Sequence, residues 1–286
     1  MKHAYLIIAH NEFEILKKLV SLLDNEHNDI YIHFDAKVAT LPTIETTKSQ
    51  LYILKKRIDV RWADYSQVET EITLLQEAFS KFRYDYFHII SGVDLPIKSQ
   101  NYIYKFFEKN RGKEFIDYCL FDFLDKMNRN AKMWHLFPKD FKNVGRLAIF
   151  KRIFRAAFIR IQQIFGLKRN KNIDFRTGSN WVSITAEFTE YLLSRKDNIR
   201  KTYTHTFCAD EIFIQTECWN SAFRNNLYDY SENYRGHMRL IDWGRGTPYT
   251  WQNNDYEELM QSDRLFARKF SSENMEIVDR IVNSVK

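Results

Sequence analysis

The sequence predicts an α/β protein in which a parallel sheet is covered by helices. Short continuous apolar runs, such as residues 4–9 and 86–90, have the length and composition of strands that are buried on both faces. Between them, apolar residues recur at helical spacing, as Ile15, Leu19 and Leu23 do. Alternation of this kind is typical of βαβ units, whose crossovers are right-handed.

The amino-terminal part contains most of the predicted strands. Residues 4–9, 30–34 and 86–90 are predicted as buried strands, and shorter strands are predicted at residues 51–54 and 58–61. Helices are predicted at about residues 66–82 and 100–109. Because the first strand is not followed by G-x-G-x-x-G, the sequence does not support a dinucleotide-binding fingerprint.

The rest of the chain continues the pattern. Strands are predicted at residues 113–119, 180–184 and 238–242, and a helical segment at residues 209–218. Thr185 is predicted to cap a helix that ends near Ser194. A serine at position 271 or 272 is predicted to cap a last amphipathic helix.

Composition restricts the class of protein. The 286 residues are 44% apolar and 28% charged, as in ordinary soluble globular proteins. Only 8 glycines are present, which argues against a glycine-rich phosphate loop, whereas the many aromatic rings suit stacking on nucleobases and sugars. The net charge of +6 indicates an anionic partner. The three cysteines form no CxxC, and neither a signal peptide nor a transmembrane helix is expected.

A basic segment stands out at residues 141–173, with nine Lys or Arg and no Asp or Glu. Its apolar residues recur at helical spacing, so it is predicted as a basic amphipathic helical insertion. Such a helix can lie on an anionic membrane surface through the stretch from Lys142 to Lys171. A helix packed on the domain and an RNA-binding segment are the alternatives, and the interleaved large apolar residues favour the membrane.

Two kinds of charged residue suggest chemistry. Glu211 follows Asp210 at the predicted start of a helix, where it can act as a general base or simply interact with the helix dipole. Arg239, Arg268 and Lys269 can bind a diphosphate, although most charged residues are only solvated surface. Arg268 and Lys269 stand within an apolar stretch, where a cation without an anion is costly. This favours an anion site there.

Other polar and aromatic residues lie at predicted strand ends. Asp35 can bind a ribose or uracil edge or can begin a turn, but a second acid suited to a paired metal site is missing beside it. Trp62 can stack on a base or fill the core. Asp94 can bind sugar hydroxyls or fix its own loop. Trp181 can support a sugar or belong to the core.

Taken together, these segments resemble the core-2/I-branching β-1,6-N-acetylglucosaminyltransferase and peptide O-xylosyltransferase family, glycosyltransferase family 14. The resemblance spans nearly the whole chain, and its blocks occur in the family's order. The blocks are residues 4–11, 32–37, 62–68, 91–99, 178–185, 209–216, 237–243 and 265–270. It implies a GT-A-type, Rossmann-like nucleotide-binding sheet with flanking helices, and an inverting reaction that needs no metal or other cofactor.

The resemblance also implies roles for particular residues. Glu211 is similar to the family's catalytic base, and Arg239 and Lys269, with Arg268 beside them, are similar to its diphosphate ligands. Asp35 and Trp62 fall where the family holds the uridine.

Asp94 lies in a loop that resembles the donor-sugar region, and Trp181 is a candidate contact for the donor sugar or the acceptor. The chain is then one domain, with a nucleotide-binding half at residues 1–120 and an acceptor and diphosphate half at residues 175–286.

The function implied is transfer of a sugar, N-acetylglucosamine first of all, from a UDP-sugar to a glycan or lipid-linked saccharide. UDP-xylose, UDP-galactose and UDP-glucose are the alternative donors. The cysteine-poor chain looks like a bacterial, cytoplasmic member that builds surface polysaccharide, held at the inner face of the membrane by its basic helix. An RNA-binding protein and a peripheral membrane scaffold are the non-enzymatic alternatives, but the sequence contains no RNP-type motif.

Overall fold

The computed structural model describes residues 1–119, 124–231 and 235–286. Two sheets are found in these ranges. The main sheet has the strand order β3–β2–β1–β4–β6, and the smaller one has the order β5–β8–β7. The strands are β1 (His3–Ala9), β2 (Asn28–Phe34), β3 (Gln50–Ile53), β4 (Tyr86–Ser91), β5 (Leu95–Pro96), β6 (Ser183–Thr185), β7 (Arg239–Ile241) and β8 (Phe266–Arg268). In the main sheet β1 to β4 are parallel, and only β6 runs antiparallel.

Helices cover both faces of the main sheet. They are α1 (Phe13–Leu23), α2 (Ser66–Lys81), α3 (Gln100–Lys109), α4 (Leu124–Lys132), α5 (Arg146–Ile164), α6 (Ala186–Ser194), α7 (Lys196–Tyr203), α8 (Phe213–Trp219), α9 (Tyr256–Gln261) and α10 (Met275–Val285). Tyr5 and Ile7 of β1 pack in the core beneath α1, α3 and α10, whereas Ala4 and Leu6 pack in the core beneath α2, α6 and α8. Because alternate side chains of a strand point to opposite faces, the uninterrupted apolar run of β1 is explained.

The predicted α/β fold, with a parallel, Rossmann-like sheet and flanking helices, is confirmed. Thr185 caps its helix as predicted, because its hydroxyl accepts from the N–H of Phe188. The helix predicted within residues 141–173 is α5. The two halves predicted from the sequence share both sheets, since β6 joins the first half's sheet and β5 joins β7 and β8.

Two predicted strands are wrong. Residues 58–61 are not a strand, and the N–H of Ile58 donates to Nε2 of His33 instead. Residues 113–119 form only two isolated bridges, at Glu114 and Phe115. Their N–H groups donate to residues 226 and 183, and that of Cys119 donates to Thr177, so the backbone is satisfied by three partner residues in two segments without forming a ladder.

The carboxyl ends of β1, β2 and β4 meet at one edge of the main sheet. The smaller sheet packs against this edge, because the N–H of Phe270 donates to the carbonyl of Val93 at 3.0 Å. Crevices at this edge are where ligands bind in open α/β sheets. Among the described helices, none combines the length and the apolar character needed to cross a bilayer.

Candidate active site

Glu211 lies in a 3₁₀ turn, Ala209–Glu211, and not in the long helix predicted for residues 209–218. Cys208, just before this turn, has a left-handed φ of 52°, and its N–H donates to the carbonyl of Ala63, whose φ is 64°. A left-handed conformation costs a residue other than glycine about 1–2 kcal/mol. Two such residues in contact are the kind of strain that accumulates at functional sites.

The Glu211 side chain reaches solvent, yet protein surrounds it closely. Desolvation raises the pKa of Glu211 above its usual value, and the charge of Lys126 offsets part of this rise. A carboxylate with a raised pKa is a better proton acceptor than an ordinary surface glutamate. The electrostatics therefore suit the predicted base.

Two more carboxyl groups stand behind Glu211. Asp210 is buried and accepts a hydrogen bond from Nε2 of Gln67, and burial together with the charge of Glu211 raises the pKa of Asp210 to about 8. Glu71 of α2 is fully buried, and burial followed by the charge of Asp210 raises its pKa well above the usual value. Both groups therefore favour the neutral form near neutral pH.

The irregular segment from Thr177 to Ser183, which leads into β6, holds the Glu211 turn in place. The hydroxyl of Thr177 and the N–H of Gly178 both donate to the carbonyl of Glu211, at 2.9 and 3.0 Å. A Cβ at Gly178 would lie 2.2 Å from the carbonyl oxygen of Asp117, so only glycine fits there. The buried carboxylate of Asp117 accepts from the N–H of Ser179 at 2.8 Å.

At the other end of this segment, Arg268 stacks on Trp181, with its guanidinium carbon 4.2 Å from the ring centroid. The Nε of Arg268 lies 3.5 Å from the buried carboxylate of Asp94. Asp94 in turn accepts from both the N–H and the hydroxyl of Ser91. The predicted sugar platform is thus covered by a cation, and Asp94 fixes its own loop while facing that cation.

Arg239 is buried, with only 2% of its surface exposed. Its Nη2 donates to the carbonyl of Val182 at 2.8 Å and to the hydroxyl of Ser183 at 2.9 Å. Burial lowers the pKa of Arg239 to about 10, and Asp94 opposes that shift. Its guanidinium therefore supports the wall behind Trp181 and does not reach the surface in this structure. Direct contact of Arg239 with a diphosphate stays a prediction.

A buried chain of hydrogen bonds extends from Arg239. The Ser183 hydroxyl lies 2.7 Å from Nδ1 of His88, whose Nε2 lies 2.8 Å from Nδ1 of His3. Burial lowers the pKa of both imidazoles far below the usual value, so both are neutral. The cationic Arg239 must donate, which favours donation by the hydroxyl to His88 and by His88 to His3. This chain fixes the position of Ser183 beneath Arg239.

Lys269 follows Arg268 and is half-buried. The N–H of Trp251 donates to the carbonyl of Lys269 at 3.0 Å, and the N–H of Lys269 donates to Tyr249 at 3.3 Å. The backbone N–H and the backbone carbonyl of Lys269 are thus both hydrogen-bonded. Within the described ranges its ammonium group has no hydrogen-bond or ion-pair partner. Lys269 is therefore a positioned cation that can accept an anionic ligand.

The two residues predicted to hold the uridine are placed differently. Asp35 is buried at the end of β2, and its Oδ1 accepts from the N–H of Lys37 at 2.8 Å, as a turn-starting aspartate does. Trp62 is 43% exposed, so the core alternative is wrong for this residue. Its ring packs against Phe207 and Phe141, with the ammonium of Lys142 at 4.7 Å from the ring centroid.

A short length of chain connects the backbone of the Glu211 turn to the residue on which Arg268 stacks. Gly178 holds the Glu211 turn and Trp181 holds Arg268, and three extended residues span at most about 11 Å. In the described parts of the chain, no group of three or more His, Cys, Asp or Glu side chains could hold a metal ion.

Sequence reasoning missed several residues of this site, among them Glu71, Asp117 and the pair His88 and Ser183. Glu71 had a usable signal, since it lies on the same helical face as the buried residues Val68, Ile72 and Leu75. The other three had none, because their partners are distant in sequence.

Comparison with known proteins identifies a family that matches most of this chain. Residues 3–264 match the family described as Core-2/I-Branching enzyme. Xylosyltransferase 2 of Homo sapiens is 24% identical over 303 aligned residues, which cover 96% of this chain and 33% of the human protein. A xylosyltransferase of Ciona intestinalis is 20% identical and is covered to the same 33%. The chain thus spans about a third of the length of these curated relatives.

A crystal structure of mouse xyloside xylosyltransferase 1 in its apo form is also similar. It is 10% identical in sequence, and the superposition covers 93% of this chain and 97% of the mouse chain with a TM-score of 0.37.

Proposed function

The chain belongs to the Core-2/I-branching enzyme family, a family of glycosyltransferases, and from this we propose that it transfers a sugar from a UDP-sugar to an acceptor hydroxyl. One observation supports the proposal most. The segment from Thr177 to Ser183 ties the Glu211 turn at one end to the Arg268 guanidinium at the other. A proton acceptor, together with a guanidinium next to a lysine ammonium, is what displacement of a nucleoside diphosphate needs.

In the proposed reaction the carboxylate of Glu211 takes the proton of the acceptor hydroxyl. The acceptor oxygen forms a bond to the anomeric carbon as the bond from that carbon to the β-phosphate oxygen breaks. Attack and departure on opposite faces invert the anomeric configuration. The raised pKa of Glu211 favours proton capture, and the neutral state of Asp210 spares Glu211 a second negative charge nearby.

Negative charge grows on the leaving UDP, and we propose that Arg268 and Lys269 stabilise it. Arg268 is held on Trp181, and the backbone N–H and carbonyl of Lys269 are both hydrogen-bonded, so the Lys269 side chain starts from a fixed position beside that guanidinium. Arg239 would act without touching the diphosphate. Its positive charge would attract the leaving group from a distance, and its hydrogen bonds would hold residues 182 and 183 in place. Fixed cations of this kind can fill the role of a metal ion, so the proposed reaction is metal-independent.

The donor remains a choice among UDP-sugars. We propose UDP-N-acetylglucosamine. Because the relatives from Homo sapiens and Ciona intestinalis are named xylosyltransferases, UDP-xylose is the first alternative to test. UDP-galactose and UDP-glucose follow. A thermal-shift panel of these nucleotide sugars separates the options, because a ligand that binds the native state raises the unfolding midpoint by mass action.

The proposal is tested by Glu211→Gln, with Glu190→Gln on the exposed face of α6 as the matched control. The amide keeps the size of the side chain but cannot accept the proton. We expect UDP binding close to that of the wild type in both variants. Transfer should fall by about a hundredfold or more in Glu211→Gln alone, since general base catalysis contributes factors of this size. Transfer by Glu211→Gln at the wild-type rate would overturn the assignment.

A further inference from the structure

Helix α5 carries a row of large apolar side chains that face solvent. Leu147, Phe150 and Ile164 expose 68%, 66% and 69% of their surface. At about 100° per residue, six of the exposed apolar residues of α5 fall within an arc of roughly 120°, and Ile149 lies just beyond its edge. We call these residues the apolar stripe: Leu147, Phe150, Ile153, Phe154, Ile161 and Ile164.

The stripe is not the face with which α5 packs on the protein. The buried residues of α5 are Ala148 and Gln162, which lie on the opposite side of the helix. The amide of Gln162 accepts from the N–H of Trp134 at 2.8 Å and donates to its carbonyl at 3.0 Å. The helix is therefore anchored by one side and leaves the apolar stripe uncovered within the described chain.

The surroundings of the stripe are strongly basic. Residues 141–173 contain nine Lys or Arg and no acid, and Arg146 and Arg160 are exposed on α5 beside the stripe. On the anchored side of α5, near its carboxyl end, a further basic cavity of about 480 Å³ opens between α4 and α5. Its lining includes Lys126, Arg129, Lys132 and Lys168. Cations around an apolar face match the headgroups and acyl chains of an anionic bilayer.

The same basic segment borders the candidate active site. The ammonium of Lys142 lies 4.7 Å from the ring centroid of Trp62, and the guanidinium of Arg155 lies 5.5 Å from that of Phe207. Phe207 precedes the Glu211 turn by only a few residues. A surface that binds α5 therefore lies beside the segment that leads into the Glu211 turn.

We propose that α5 docks on an anionic phospholipid surface through the apolar stripe and its flanking cations, and that the acceptor sugar is anchored in that surface. The second part rests on the proposed function. A second copy of this chain fits less well, because a two-fold interface would bring the basic segment, which contains no acid of its own, against the same segment of the other copy. RNA offers nothing to cover large aliphatic side chains.

The experiment uses the full chain and vesicles of phosphatidylcholine alone or with added phosphatidylglycerol. We expect binding to the anionic vesicles, weakened by salt because exposed charges are screened. The double variant Phe150→Ser and Phe154→Ser should lose at least about tenfold in partition coefficient, since each ring buries apolar area in the bilayer. Phe82→Ser, at a side chain that is 53% exposed elsewhere, should bind as the wild type does.

Docking and catalysis are separated by a water-soluble acceptor. The double variant should keep its UDP binding and its transfer to that acceptor, but lose transfer to a lipid-linked acceptor in vesicles. The proposed docking is overturned if the wild-type protein does not bind anionic vesicles, or if the double variant binds them as strongly as the wild type does. It is also overturned if sedimentation shows that the wild type is a dimer and that the double variant is a monomer. Vesicle binding without transfer to any acceptor would instead overturn the proposed function.

Discussion

Glu71, Asp210 and Glu211 form a row of carboxyl groups whose pKa values are all raised, in each case first by burial. Their exposure differs, since Glu71 is fully buried and Glu211 reaches solvent. The outermost group can therefore exchange a proton with a substrate while the inner ones stay neutral. This gradient of burial distinguishes Glu211, the proposed base, from Asp210 and Glu71.

Glu71→Gln tests this gradient through stability. A carboxyl whose folded pKa is raised stabilises the fold fully below its unfolded pKa, and this contribution is lost as pH rises toward the folded pKa. In the wild type the free energy of unfolding should thus fall above about pH 4.5, by up to about 1.4 kcal/mol per pH unit for this one proton. Glutamine has no such proton to lose.

We therefore expect the stability of Glu71→Gln relative to wild type to increase between about pH 5 and about pH 8. Urea denaturation at several pH values measures it. The exposed control Glu190→Gln should show no such trend. A difference between Glu71→Gln and wild type that stays constant with pH would show that the Glu71 carboxyl is not held neutral.

At the scale of elements, the segment from Thr177 to Ser183 organises the site. It contacts the Glu211 turn through Gly178, the buried carboxylate of Asp117 through Ser179, and Arg268 through Trp181. Its end is β6, which pairs with β4 in the main sheet. The proposed base and cations thus take their positions from a segment that leads directly into a strand of the main sheet.

Gly178→Ala should disrupt this segment. The added methyl would meet the carbonyl oxygen of Asp117 at 2.2 Å, so backbone must move. We expect a loss of about 1–3 kcal/mol of stability, as for overpacked sites, and a large loss of transfer. Gly244→Ala is the matched control, because its new Cβ would come no closer than 3.4 Å to its neighbour. Thermal unfolding and transfer assays of the two variants check this, and equal behaviour would argue against the close contact.

At the scale of the whole molecule, two sheets meet at the candidate site. The main sheet provides the loop with Asp94, and the smaller sheet provides Arg239 and Arg268 on adjacent strands. The N–H of Phe270 bonds to the loop at Val93, which fixes the two sheets together beside Lys269. The cations proposed for the leaving group are therefore held by the packing of the two sheets.

Removal of metal ions tests this arrangement in the intact protein. Because Arg268 and Lys269 are proposed to stabilise the negative charge on the leaving UDP, we expect transfer to continue in excess EDTA at close to the untreated rate. The rate of UDP release from the donor, with and without the chelator, is the measurement. Loss of activity that manganese restores would contradict the metal-free mechanism.

The sequence alone determined the fold class and the family resemblance. Apolar runs of strand length and helical periodicity are local properties, so β1, β2, β4 and the stripe of α5 could be predicted from neighbouring residues. Glu211 and the pair Arg268 and Lys269 were recognised because short blocks of sequence carry them.

Only the tertiary structure decided how these residues are used. It buried Arg239, placed Arg268 on Trp181, set Glu71 behind Asp210 and joined Ser183 to His88 and His3. It also divided the predicted strand at residues 113–119 among three partners. The physical reason is common to all of these. Burial and the choice of hydrogen-bond partner depend on segments far apart in the chain, and no local pattern of residues encodes them.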